Sequence, residues 1–174
     1  MSKREWLDEI QAQLGYSFKN VDLLQQAFVR KTYAMENGGA DNEILEFIGD
    51  RALDLVVTKY LIGKYGFPLE QTVDYVQDED CNEYYSELSE GELTELKKRL
   101  VQKRTLANRI DRYGWNEYLI LGKGDEKNNI QDKDSVKEDL FEAIIGAVTI
   151  DSKWNLKEIE GISDLDTSNV WNMS

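Results

Sequence analysis

Residues 42–64 are apolar around most of a helix's circumference, yet one stripe of acids runs along them. Glu43, Glu46, Asp50 and Asp54 stand at i, i+3, i+7 and i+11, which at helical geometry confines them to a strip about 80° wide. Ile44, Leu45, Phe47, Ile48, Leu53, Leu55, Val56 and Val57 flank that strip. Carboxylates on a greasy helix are costly unless they are paired, protonated or bound to a cation. The chain must therefore either leave one face of this helix wet or bring a cation to it. In both cases the apolar majority predicts the buried centre of a helical fold.

The rest of the pattern also reads as helix, with apolar residues recurring at three and four and little strict alternation. A short amphipathic helix is expected over 4–14, ended by Gly15. Asn20 is placed to cap a second, with Val21, Leu24 and Phe28 on one face, running to Asn37-Gly38-Gly39. A fourth helix starts at Ser89, where Ser89 and Glu92 have capping-box spacing, and runs to about Arg112 before Tyr113-Gly114. Residues 121–132, rich in glycine, asparagine and charge, read as an exposed loop, and a last helix covers about 135–152. Residues 153–174 are acidic and read as a short helix with a loose tail.

The chain has no histidine and one cysteine, Cys81. Ser-His-Asp and Cys-His catalysis and His-ligated zinc are excluded, as is an internal disulfide. Cys81 reads as a neutral packing or surface residue, since nothing basic lies near it in sequence to lower its pKa. No apolar run reaches the roughly 18 residues of a membrane span, and Met1–Trp6 lack the apolar stretch of a signal peptide. A reducing cytoplasm and no membrane partner are the expectation.

A formal net charge of −13 argues against nonspecific attraction to phosphate backbones, but the charge is segregated. Residues 68–95 hold ten acids and no base, whereas residues 97–112 hold seven bases and one acid, Asp111. The basic run is either a solvated helix face balancing an acidic chain or a strip that meets phosphates, with Lys97, Lys98, Lys103 and Arg104 as the candidate contacts.

A second acid pair, Asp139 and Glu142, stands at i, i+3 early in the last helix, ahead of Ala143–Val148. Two such pairs on packed helices would place four oxygen donors around one point, a set suited to Mg²⁺, with Mn²⁺ able to substitute. Without histidine, metal-activated water is the most economical hydrolytic chemistry open to the chain.

These residues resemble a known family. NEILEFIGD (42–50) resembles the ribonuclease III signature N-E-R-L-E-F-L-G-D. LGYSFKNVDLLQQAF (14–28), SEGELTELKKRLVQKRTLA (89–107), LILGKGDEK (119–127) and DSVKEDLFEAIIGAVTID (134–151) resemble further blocks of that family, in the family's order. The resemblance implies an all-α endonuclease domain over residues 1–152 that forms a homodimer through the signature helix. It implies metal-dependent hydrolysis of double-stranded RNA to 5′-phosphate and 3′-hydroxyl ends. Glu46, Asp50, Asp139 and Glu142 match the metal-coordinating, catalytic carboxylates, with Asp50 and Glu142 the least dispensable. Glu43 and Glu90 match accessory acids at the cleft of the dimer.

The chain departs from the pattern in places. Ile44 stands where arginine or glutamine is usual, and Val29-Arg30-Lys31-Thr32 where a threonine-histidine-arginine-serine run is common. Lys137-Glu138 replaces Leu-Ala before Asp139, and residues 68–88 form a longer, more acidic insertion. Residues 153–174 are too few for the double-stranded-RNA-binding domain that bacterial members append. The grip on RNA is then expected from the catalytic dimer and the 97–112 strip, or from a helper protein. Two other readings stand beside this one. A catalytically silent scaffold for structured or ribosomal RNA would have lost acids that are all present here. The all-α nucleotide pyrophosphohydrolases place their two acid pairs close in sequence, whereas Glu46 and Asp139 are 93 positions apart.

Overall fold

The structure, a computed structural model, describes residues 5–68 and 84–163. Cys81, most of the 68–88 insertion and residues 164–174 lie outside the described residues. Nine helices are described: α1 (Glu5–Leu14), α2 (Val21–Ala27), α3 (Lys31–Asn37), α4 (Glu43–Tyr65), α5 (Glu90–Leu100), α6 (Lys103–Tyr113), α7 (Lys123–Lys127), α8 (Asp134–Asp151) and α9 (Leu156–Ser163). A two-stranded antiparallel ribbon, β1 (Gly66–Pro68) with β2 (Tyr84–Ser86), pairs Phe67 with Tyr85. No helix among the described residues is long and apolar enough to cross a membrane.

The helix at the centre is α8, not α4 as the apolar count suggested. From Ala143 to Thr149 every α8 residue is buried, and Leu140, Ile144, Ile145 and Val148 have no accessible surface. Each such side chain contributes about 1.5–3 kcal/mol of burial. Helices α4, α6, α2 and α9 pack around it. Helix α4 buries one face only, through Leu45, Gly49, Ala52, Leu53, Val56, Val57 and Leu61. A second face carries the acids. A third leaves Ile44, Phe47 and Leu55 more than half exposed.

Local signals place several ends correctly. Gly15 (φ +69°) follows α1 and Gly114 (φ +67°) ends α6 in the left-handed region, which costs a residue without Cβ little. Ser89 and Glu92 form the reciprocal capping box that opens α5. Asn20 caps α2 by accepting the Asp22 N–H.

Long-range packing breaks two of the expected helices. The second divides into α2 and α3, because Val29 bridges to Ile120: the Ile120 N–H donates to the Phe28 carbonyl (2.8 Å) and the Arg30 N–H to the Ile120 carbonyl (3.0 Å). The fourth divides at Gln102, which is extended (ψ 145°) between α5 and α6. The turn lets Leu100 and Leu106 both reach the core. Within 121–132 the chain makes α7 and a 3-10 turn, tied down by Thr32 Oγ1 donating to Asp125 and by the Lys123 N–H donating to Glu36.

The final acid of α8 fastens the other end of the fold. Asp151 accepts hydrogen bonds from the Tyr16 hydroxyl (2.8 Å) and from the Lys19 and Asn20 N–H groups (2.9 and 2.8 Å). It thereby sets the connection between α1 and α2. Helix α9, in the segment expected as an extension, docks Ile159 into the core and pairs Glu160 with Lys59.

Candidate metal centre

Helices α4 and α8 meet glycine to glycine. A Cβ added to Gly49 would fall inside the Glu142 carbonyl and 2.8 Å from the Gly146 nitrogen. A Cβ on Gly146 would fall inside the Leu45 carbonyl and 3.1 Å from the Gly49 nitrogen. The backbones approach this closely only because neither helix carries a side chain there. Glu46 and Asp50 lie on either side of Gly49, and Glu142 lies one turn before Gly146 with Asp139 a turn earlier. The crossing therefore turns two i, i+3 or i+4 acid pairs toward one another.

Their electrostatics show that the four acids sense one another. Glu142 is pushed up to about 8, first by burial and then by the charges of Asp50, Glu138, Glu46 and Asp139. Glu46 is raised as well, by burial and then by Asp139, while the Arg30 guanidinium works in the opposite direction. A carboxyl that remains protonated near neutral pH marks a place with an excess of negative charge and too little water. Two arginines answer part of that excess. Arg30 Nη1 donates to Asp139 Oδ2 at 2.9 Å, and Arg51 Nη2 lies 2.8 Å from Asp50 Oδ2. Among the described residues no three acids are drawn into a ready-made cation cage. They face one another across the crossing, with Asp50 and Asp139 each held by an arginine.

The accessory acids lie further out. Glu43 is exposed, binds the Lys31 ammonium (3.0 Å) and adds to the repulsion on Glu46. Glu90 opens α5, accepts from Thr94 (3.0 Å) and borders a pocket of about 380 Å³ with Thr58, Leu61, Leu93 and Lys97. Asp54, the last acid of the α4 stripe, points to Lys97 (3.2 Å). Three of the four candidate RNA contacts are in ion pairs: Lys97 with Asp54, Lys98 with Glu95 (2.7 Å) and Lys103 with Glu138 (3.3 Å). Arg104 is exposed. The basic run is thus partly spent on docking α5 and α6. Arg109 lies over the Phe141 ring, and Asp111 holds the buried Lys137 at 2.6 Å.

A family model described as Ribonuclease-III-like matches residues 20–159. This chain belongs to that family. Proteins named Ribonuclease 3 from Roseburia hominis and Treponema succinifaciens are 55% and 43% identical to it over 154 and 171 residues. The matched regions cover 87% and 95% of this chain but 43% of each relative, so the chain spans less than half their length. The nuclease domain of ribonuclease III from Campylobacter jejuni matches with a TM-score of 0.71 and 27% identity across the whole of both chains. A second structure of that domain, described as flexible in the region involved in dimer formation, gives 0.73 over 96% of this chain and 98% of that one.

Three residues of this ribonuclease-III-like fold shape the site without having been assigned a role from sequence. Asn42 is buried; its N–H donates to the Val29 carbonyl (2.9 Å) and its Nδ2 to the Ala27 carbonyl (3.2 Å), locking the start of α4 to the α2–α3 junction. Glu138 is a further acid facing Glu142. Arg30 meets an acid 109 positions away. Asn42 begins the signature block, which was its only visible signal.

Proposed function

We propose that this chain is a divalent-metal-dependent endoribonuclease domain that hydrolyses double-stranded RNA, leaving 5′-phosphate and 3′-hydroxyl ends. The observation that carries the reading is the Gly49–Gly146 crossing, which turns Glu46 and Asp50 toward Asp139 and Glu142 in a chain of the ribonuclease-III-like family. The donor set fits a hard cation: four carboxylates from two rigid helices, with the innermost pushed up to about 8 first by burial and then by its neighbours. Bound by these four, Mg²⁺ or Mn²⁺ would supply Lewis-acid activation of water and neutralise charge developing on the scissile phosphate. A cation held there would favour the ionised form of Glu142 against the burial and repulsion that raise it, and Glu43 and Glu90 would keep the flanks of the cleft acidic.

The exposed face of α4, with Ile44, Phe47 and Leu55 bare and Arg51 lying over the Phe47 ring, is the surface through which two copies would pair. Lys97, Lys98, Lys103 and Arg104 are proposed to meet the RNA backbone. Their present partners do not forbid it, since ion pairs at this exposure are worth about 0–1 kcal/mol and phosphates can displace them. Binding carried by such contacts falls steeply with salt. The catalytic unit is placed over residues 1–152, with 153–174 as a short extension whose α9 folds back onto it.

The test is cleavage of a long perfect RNA duplex at low salt with Mg²⁺ or Mn²⁺, beside Glu142→Ala and a chelator control. Short duplexes with 5′-phosphates and 3′ overhangs, absent from both controls, are expected. Cleavage that persists in chelator would sink the metal-dependent mechanism. A folded dimer that neither cleaves nor binds metal would favour a silent RNA-binding scaffold.

A further inference from the structure

The junction between α2 and α3 is held from both sides. Ile120 pairs with the backbone at Phe28 and Arg30, and Asn42 pairs with it at Ala27 and Val29. This pinned backbone delivers Arg30 into the acid group, where its Nη1 donates to Asp139 Oδ2 at 2.9 Å. Arg30 differs from Arg51, the arginine paired with Asp50. The Arg51 side chain is 62% exposed and rises from the rim of α4, whereas Arg30 is 21% exposed and cannot swing away without giving up a lodged position. Its Nε is buried with no hydrogen-bond partner, so charge rather than a saturated fork of hydrogen bonds holds the guanidinium there.

We infer that Arg30 is a resident counter-cation that competes with the divalent ion for Asp139 and so sets how much metal the site requires. This rests on the metal-binding reading above. The guanidinium is permanently charged, and any cation that takes Asp139 must first break its ion pair and then sit beside its charge. Arg30 thereby fills part of the charge deficit when metal is scarce and holds the α2–α3 junction against α8. It is a positioning residue, acting through Asp139 rather than on substrate. Removing its charge leaves Asp139 open and tightens metal binding. The expected gain is about fivefold, the worth of one partly buried charge pair.

The experiment is calorimetric titration of Mg²⁺ into the full chain and into Arg30→Gln and Arg30→His at pH 8.5, where histidine is uncharged, each in the Asp139 and Asp139→Asn backgrounds. Circular dichroism verifies folding, and the two replacements guard against one that fails to fold. Expected is a dissociation constant about fivefold lower for the folded Arg30 variants, with the gain lost in the Asp139→Asn background. Affinity equal to or weaker than wild type in a folded variant overturns the inference and leaves the metal reading standing. A gain that persists without Asp139 also overturns it, since the competition would not run through that carboxylate. No Mg²⁺ binding by any form overturns the metal reading, and the inference with it. Binding seen only when Arg30 is replaced supports both.

Discussion

Gly49 of α4 and Gly146 of α8 lie backbone against backbone, each where the other helix's carbonyl would otherwise meet a methyl group. The acids beside them converge because of this contact, so packing and site depend on the same two positions. Gly49→Ala or Gly146→Ala is expected to force the helices apart at a cost of about 3 kcal/mol, the upper part of the overpacking range, because rigid backbone stands in the way. That predicts a fall in Tm of about 6–12 °C together with weaker Mg²⁺ binding, read by calorimetry and thermal scans. A folded variant with unchanged metal affinity would show that the crossing does not set the distance between the acid pairs.

Asp151 supports the far end of α8. Burial works against its charge, but the Lys19 and Asn20 N–H groups and the Tyr16 hydroxyl outweigh it and hold the carboxyl below its usual value. A depressed carboxylate stabilises the fold above its unfolded pKa, near 3.8, and that contribution is lost as pH falls through the folded value. Asp151→Asn should cost about 2–3 kcal/mol at pH 7, the scale of hydrogen bonds to a charged group. The gap to wild type should narrow as pH falls below the unfolded value, where the carboxyl becomes protonated in both states. Denaturant melts at pH 7 and pH 3 measure both quantities, and a gap that stays constant with pH would mean the charge of Asp151 is not what stabilises the fold.

Much of this was legible in the sequence because the signals were local. The acid stripe of α4, the pair on α8, the Ser89–Glu92 capping box and the terminating Gly15 and Gly114 each act within a few residues. What was hidden acts at long range. Nothing near Phe28 or Val29 breaks a helix; the break comes from Ile120, and Asn42 reinforces it. No glycine or proline marks Gln102, where burying both Leu100 and Leu106 bends the chain. Apolar content alone favoured α4 as the centre, because the bare Ile44, Phe47 and Leu55 counted the same as buried residues. The basic run 97–112 gave no sign that Asp54, Glu95 and Glu138 would claim Lys97, Lys98 and Lys103.

The bare face of α4 makes a prediction about assembly. Phe47 is 62% exposed and Ile44 66%, too much apolar surface at one spot for an isolated helix face to be idle. Ile44→Glu with Phe47→Glu should leave the monomer folded, since neither side chain enters the core, and should convert a dimer into a monomer in light scattering. A wild-type chain that is already monomeric at micromolar concentration would refute pairing through this face.

Glu142 offers the sharpest test of the cluster as an electrostatic unit. Its carboxyl is pushed up to about 8 by burial and by Asp50, Glu138, Glu46 and Asp139. In the unfolded chain the same group titrates near 4.5. Between those values the folded state binds a proton that the unfolded state does not, so the group's contribution is complete below about pH 4.5 and is lost as pH rises through about 8. Glutamine keeps the volume and stays uncharged. In chelator, Glu142→Gln should therefore match wild type near pH 5 and exceed it in Tm by a few degrees at pH 9, the difference opening across that interval. Adding Mg²⁺ at pH 9 should raise the Tm of wild type and not that of the variant, because the cation neutralises the carboxylates that destabilise the free protein. A variant less stable than wild type in chelator at pH 9 would mean that the Glu142 carboxylate is welcome in the fold, and that the four acids do not form a site in need of a cation.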